Sequence, residues 1–72
     1  DDPSGRARVL ASQGNALAHL GDFARAVPIL EEARATFLAQ DEADSAAAVQ
    51  DVLDDIEVQV AEKSTGSPAG SG

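Results

Sequence analysis

Seventy-two residues with a formal net charge of −8 make at most one small domain. The chain has no Cys, a single His and two Phe as its only aromatics, which excludes disulfide staples, thiolate metal sites and a zinc cluster. Its acidity disfavours nucleic acid and anionic membrane as partners, because both present negative phosphate.

The imbalance is uneven. Residues 1–36 carry four Arg and five acids, and residues 37–72 carry one Lys and eight acids. The acidic half is complemented by a basic protein surface; the plainer alternative is that the acids solubilise a small helical domain. Below roughly 70–80 residues, hydrophobic gain barely exceeds ordering entropy, so a marginal monomer is expected. No apolar run approaches the roughly 20 residues needed to span a bilayer, and a cytoplasmic setting is expected. The chain begins with Asp1 rather than Met, which reads as a piece of a larger protein.

In chain order, residues 1–4 read as a linker, with Ser4 the expected N-cap of a first helix from about Gly5 to Leu20. Its apolar side is expected to hold Val9, Leu10, Ala16, Leu17 and Leu20. Gly14 is a small residue at which a neighbouring helix can come close. Gly21 suits a left-handed closing position. Asp22 then caps a second helix to about Ala39, with Phe23, Ala26, Val27, Leu30, Ala33 and Phe37 at steps of three and four. Pro28 removes one amide donor and predicts a local bend, not a break.

Gln40-Asp41-Glu42-Ala43 forms the next connection, and Asp44 or Ser45 is the expected cap of a third helix from about Ala46 to Ala61. Its stripe is Val49, Val52, Leu53, Ile56 and Val60, while Asp51, Asp54, Asp55, Val58 and Glu62 fall opposite. The domain is thus expected over residues 5–62. Residues 63–72 are rich in Gly, Ser and Pro and read as a disordered tail.

No reaction chemistry emerges. His19 is the only candidate general base; Ser12 is seven residues earlier and Asp22 three later, a loose spacing that occurs by chance. Asp41, Glu42 and Asp44 lack the Gly turn and distant Glu of a calcium loop, and helix capping explains them better. Asp54 and Asp55 are about 100° apart on a helix and do not converge. Gly14, Gly21 and Gly66 have no phosphate-cradling spacing. No cofactor is expected. Arg6 and Arg8 are too few for a nucleic-acid patch and are expected to pair with acids of the third helix or to touch a partner.

Gly14, Leu17, Gly21-Asp22-Phe23, Ala26, Leu30 and Ala33 carry a family resemblance. Residues 7–39 resemble one tetratricopeptide repeat, a small/large pattern on two antiparallel helices. Gln40-Asp41-Glu42 and the helix after it resemble the start of a second repeat, but Val52-Leu53-Asp54-Asp55 stands where a second Leu-Gly belongs. Leu10 replaces the usual large aromatic. The implied fold is all-α, a helical hairpin plus a third amphipathic helix that caps the stack. The implied function is non-catalytic protein–protein interaction through the inner surface of the first helices. By that resemblance Arg8, Ala11, Ser12, Asn15 and His19 face the partner. Asn15 matches a residue that some members use to hold a peptide carboxylate, and Ala11 stands where the accompanying lysine would be. One and a half repeats are fewer than the three or so that make a stable array. A longer parent array, homodimerisation or a partner would supply the missing contact.

A second reading stays open. The segment also suits a terminal docking domain of a bacterial multi-subunit assembly-line enzyme. There the acidic helix, through Asp51, Asp54, Asp55 and the outward Val58, docks on a basic groove.

Overall fold

The computed structural model describes the backbone of residues 2–71 and the side chains of residues 2–62. It is all-α: α1 (Pro3–His19), α2 (Phe23–Ala39) and α3 (Ala43–Ser71), with no strand among the described residues. The disordered tail expected over 63–72 lies outside the fully described residues.

The first helix starts earlier than expected. Asp2, not Ser4, is the N-cap, and its carboxylate accepts from the Ser4 amide at 3.2 Å. Pro3 takes the first helical position, where its missing N–H costs nothing and its fixed φ suits the helix. Ser4 instead donates its hydroxyl to the Glu42 carboxylate, tying the start of α1 to the start of α3.

Both turns are built alike. After α1, the Gly21 amide donates to the Ala18 carbonyl and the Asp22 amide to the Leu17 carbonyl. After α2, the Asp41 amide donates to Leu38 and the Glu42 amide to Phe37. Each pair is a Schellman closure with one left-handed residue. Gly21 fills that position in the first turn with φ +82, as its sequence position suggests; Asp41 fills it in the second with φ 60. Asp22 occupies the N-cap position of α2 but gives no side-chain cap bond; its carboxylate lies 3.5 Å from Arg25 Nε. The third helix begins at Ala43, so Glu42 precedes it and neither Asp44 nor Ser45 is its cap. The Glu42 carbonyl accepts the first helical bond, from Ala46.

The core is one seam shared by three helices. It holds Ala7 of α1; Ala26, Leu30, Ala33 and Phe37 of α2; and Ala46, Val49, Leu53 and Ile56 of α3. Leu10, Leu17, Phe23, Val27 and Val52 pack against it, partly buried. The α2 stripe is the expected one, and α2 continues through Pro28 unbroken. Pro28 and Ala24 both face solvent, the side on which helix carbonyls can tilt out toward water.

The α1 seam agrees with the expected one at Leu10 and Leu17 and differs elsewhere. It runs through Ala7, Leu10, Gly14 and Leu17, whereas Ala16 is exposed and Val9 and Leu20 are 58% and 80% exposed. Ala7 and Gly14 let the helices approach closely, Leu10 and Leu17 fill the seam beside them, and Val9 and Leu20 are left on the outer side. Val60 of the expected α3 stripe is also exposed, at 43%. It lies on the same side as Ile56, but α3 has by then run past the length of the 17-residue α2 that covers its earlier turns.

The helices form two layers. α2 packs along both α1 and α3, which lie side by side on it and barely touch each other. Arg6 pairs with Glu32 of α2 at 4.0 Å, not with acids of the third helix, and the pair is exposed. Arg34 of α2 donates to the Gln50 side chain of α3, whose amide donates to Asp54 at 2.8 Å. No helix among the described residues is long and apolar enough to cross a membrane.

Candidate functional site

Because α1 and α3 stand apart on α2, a groove runs between them. It consists of two adjoining hollows of about 280 and 250 Å³. The first is lined by Asn15, Ala18 and His19 of α1 and by Asp51, Val52, Asp55 and Gln59 of α3. The second is lined by Ala11, Ser12 and Asn15 of α1, Leu30 of α2, and Ala48, Val49 and Val52 of α3. Asn15 and Val52 border both, so the hollows form one channel.

The register follows from helix geometry. On α1, residues 11, 15 and 18 recur at steps of four and three, beside the seam of 7, 10, 14 and 17. On α3, residues 48, 52, 55 and 59 do the same beside 46, 49, 53 and 56. Each helix thus offers one stripe to α2 and an adjacent stripe to the groove. Leu30 rises from α2 at the floor. Its approach to α1 is set by Gly14, on which a Cβ would lie only 2.5 Å from Leu30 Cγ.

The structure sorts the candidate residues. Ser12, Asn15 and His19 line the α1 wall, and Asp51 and Asp55 line the α3 wall. Two sets that the sequence treats as alternative surfaces therefore face one another. Arg8 is exposed on α1 but is not a lining residue. Asp54 lies outside the groove, bonded to Gln50, and Val58 is 54% exposed. Helical periodicity does not reveal that Ala18, Ala48, Val52 and Gln59 also form the walls. Val52 alone carried a signal, as the residue of the α3 stripe nearest its polar side.

Polar chemistry in the groove is simple. Asp55 Oδ2 accepts from Gln59 Nε2 at 2.9 Å. His19 makes no hydrogen bond with Ser12 or Asp22, and Asp22 is engaged by Arg25. No group of three His, Asp or Glu residues among those described is placed to hold a metal ion.

A wider hollow of about 650 Å³ lies on the other side of α1, against α2. Asp2, Pro3, Gly5, Arg6, Val9, Glu32 and Thr36 line it, and it contains none of the candidate residues. No family model matches this chain, and no curated protein or solved structure shows significant similarity to it.

Proposed function

We propose that this chain is a non-catalytic protein–protein interaction module of the tetratricopeptide kind, working in the cytoplasm and holding a segment of a partner protein in the α1/α3 groove. One observation carries the reading: Ser12, Asn15 and His19 of α1 face Asp51 and Asp55 of α3 across a channel floored by Leu30. A concave, largely apolar channel with a few convergent polar groups is the usual form of a recognition site. The walls are two parallel helices held by a third behind them; the resemblance of residues 7–39 implies the antiparallel α1/α2 pair, and that of Gln40-Asp41-Glu42 and the helix after it implies the start of a second repeat. Nucleic acid and membrane do not suit its acidic walls.

The second reading is a docking domain of a bacterial assembly-line enzyme. Val58, 54% exposed on a helix rich in acids, favours it. A photoreactive amino acid placed at Asn15 or at Val58 in the full chain, activated in cells of the source organism, separates the two. A partner cross-linked from position 15 supports the groove. A partner captured only from position 58 supports docking through the outer face of α3, and capture from neither removes both.

A further inference from the structure

We infer that the occupant of the groove is a short segment of another protein in which an aliphatic residue is followed, two or three residues on, by lysine or arginine; this rests on the groove being the binding surface. The groove is graded along its length. One end, between Ala11 and Ala48, is walled by methyl groups over Leu30 and Val49. Its other end carries Asp51 and Asp55.

Among the described residues no Arg stands against the two carboxylates, and His19, which lines the same hollow, forms no ion pair with either. Among the described residues, Arg6 pairs with Glu32, Arg25 with Asp22, and Arg34 is held by Gln50, while Arg8 does not line the groove. Asp51 makes no side-chain hydrogen bond or ion pair. Among the described residues, Asp55 is engaged only by the neutral Gln59 amide. A cation from outside completes this pair, and a net charge of −8 draws it in from a distance.

Spacing sets the motif. From Ala48 to Asp51 and Asp55 is three and seven residues of α3, an advance of about 5–10 Å along the helix axis. An extended segment covers about 3.3 Å per residue, which places the cation two or three residues beyond the aliphatic anchor. The Asn15 amide and Ser12 hydroxyl on the opposite wall are placed to bond the segment's backbone.

The test uses the isotope-labelled full chain and two acetylated, amidated pentapeptides, Ala-Leu-Ala-Lys-Ala and Ala-Leu-Ala-Glu-Ala, titrated by NMR to millimolar concentration. The lysine peptide is expected to shift the amides of Asn15, Val52 and Asp55 saturably, and the glutamate peptide is not. Replacing Asp51→Asn and Asp55→Asn together, both exposed and so tolerated by the fold, is expected to weaken the lysine peptide about three- to tenfold. Salt at about 0.5 M is expected to act in the same direction. If both peptides shift the same groove amides equally, the groove remains and the cationic preference is overturned. If neither peptide shifts them, or the shifts gather at Asp54 and Val58, the groove reading falls and this inference with it.

Discussion

The Leu30 side chain lies directly on the backbone of Gly14. A Cβ at Gly14 would stand 2.5 Å from Leu30 Cγ and 2.6 Å from Cδ2, inside any contact that real Cβ atoms make. Leu30 is 1% exposed, so relieving that contact means displacing a buried side chain. One glycine therefore sets both the separation of α1 from α2 and the depth of the channel above them.

Gly14→Ala tests this. Alanine gains about 1 kcal/mol of intrinsic helix propensity, whereas forcing a methyl into a filled seam costs about 1–3 kcal/mol. The clash is with the branched end of a buried leucine, so the net expectation is destabilisation by up to about 2 kcal/mol. Thermal unfolding followed by far-ultraviolet circular dichroism reads it as a Tm lowered by roughly 4–8 °C per kcal/mol. In the Leu30→Ala background, where the space is vacated, Gly14→Ala is expected to be neutral or stabilising. Additive effects of the two substitutions would show that the residues do not touch.

The two turns make a matched comparison. Gly21 at φ +82 and Asp41 at φ 60 close their helices with the same pair of backbone bonds. A Cβ at Gly21 meets nothing within 4 Å, so Gly21→Ala carries a purely conformational penalty. About 1–2 kcal/mol of destabilisation is expected from it. Asp41→Gly relieves the same penalty in the second turn and is expected to stabilise by up to about 1 kcal/mol. Urea titration of both variants checks the signs, and a destabilised Asp41→Gly would show that the aspartate side chain contributes more than its backbone strain costs.

That contrast shows where sequence reading succeeds and where it stops. Gly21 announces its turn because glycine is the usual left-handed residue, whereas an aspartate in the same geometry looks like one more polar loop position. Periodicity placed the α2 stripe correctly, since Leu30 and Phe37 are large enough to stand out. On α1 it finds Leu10 and Leu17, and Gly14 shows itself as a point of close approach, but it passes over Ala7, which is small, and counts Val9, Ala16 and Leu20 inward because they are apolar. Val60 shows the third limit. A helical wheel gives the direction of a side chain but not whether a neighbour reaches far enough to cover it. The groove was half visible for the same reason: each wall follows from one helix's own pattern, but their facing each other depends on how α1 and α3 sit on α2.

Gln50 joins α2 to α3. Its carbonyl accepts from Arg34 and its amide donates to Asp54. Arg34 Nε is buried without a partner, so the guanidinium already depends on this one contact across the interface. Gln50→Ala is expected to cost about 1–2 kcal/mol, since it leaves a half-buried cation less satisfied. Gln50→Glu is expected to recover part of that through a charged partner for Arg34, less the repulsion from Asp54 one turn on. Equal stability of the wild type and Gln50→Ala by urea titration would reduce the contact to a surface detail.

Salt reports on the charge imbalance of the whole chain. Thirteen acids stand against five basic residues, and the two ion pairs among the described residues are both exposed, with Arg6 76% and Arg25 77% accessible. Such pairs contribute between nothing and about 1 kcal/mol each, whereas a net charge of −8 repels itself throughout the compact state. Screening should therefore help folding more than it weakens the pairs. Raising sodium chloride from about 0.02 M to about 0.5 M shortens the Debye length well below the spacing of the helices' outer faces, and Tm is expected to rise by several degrees. The effect should shrink in Asp54→Asn and Glu57→Gln variants, which remove charge outside the groove. A Tm that falls with salt would mean that attractive pairing outweighs repulsion, and then loss of Glu32 from the Arg6 pair should destabilise measurably instead of leaving stability within about 0.5 kcal/mol of the parent.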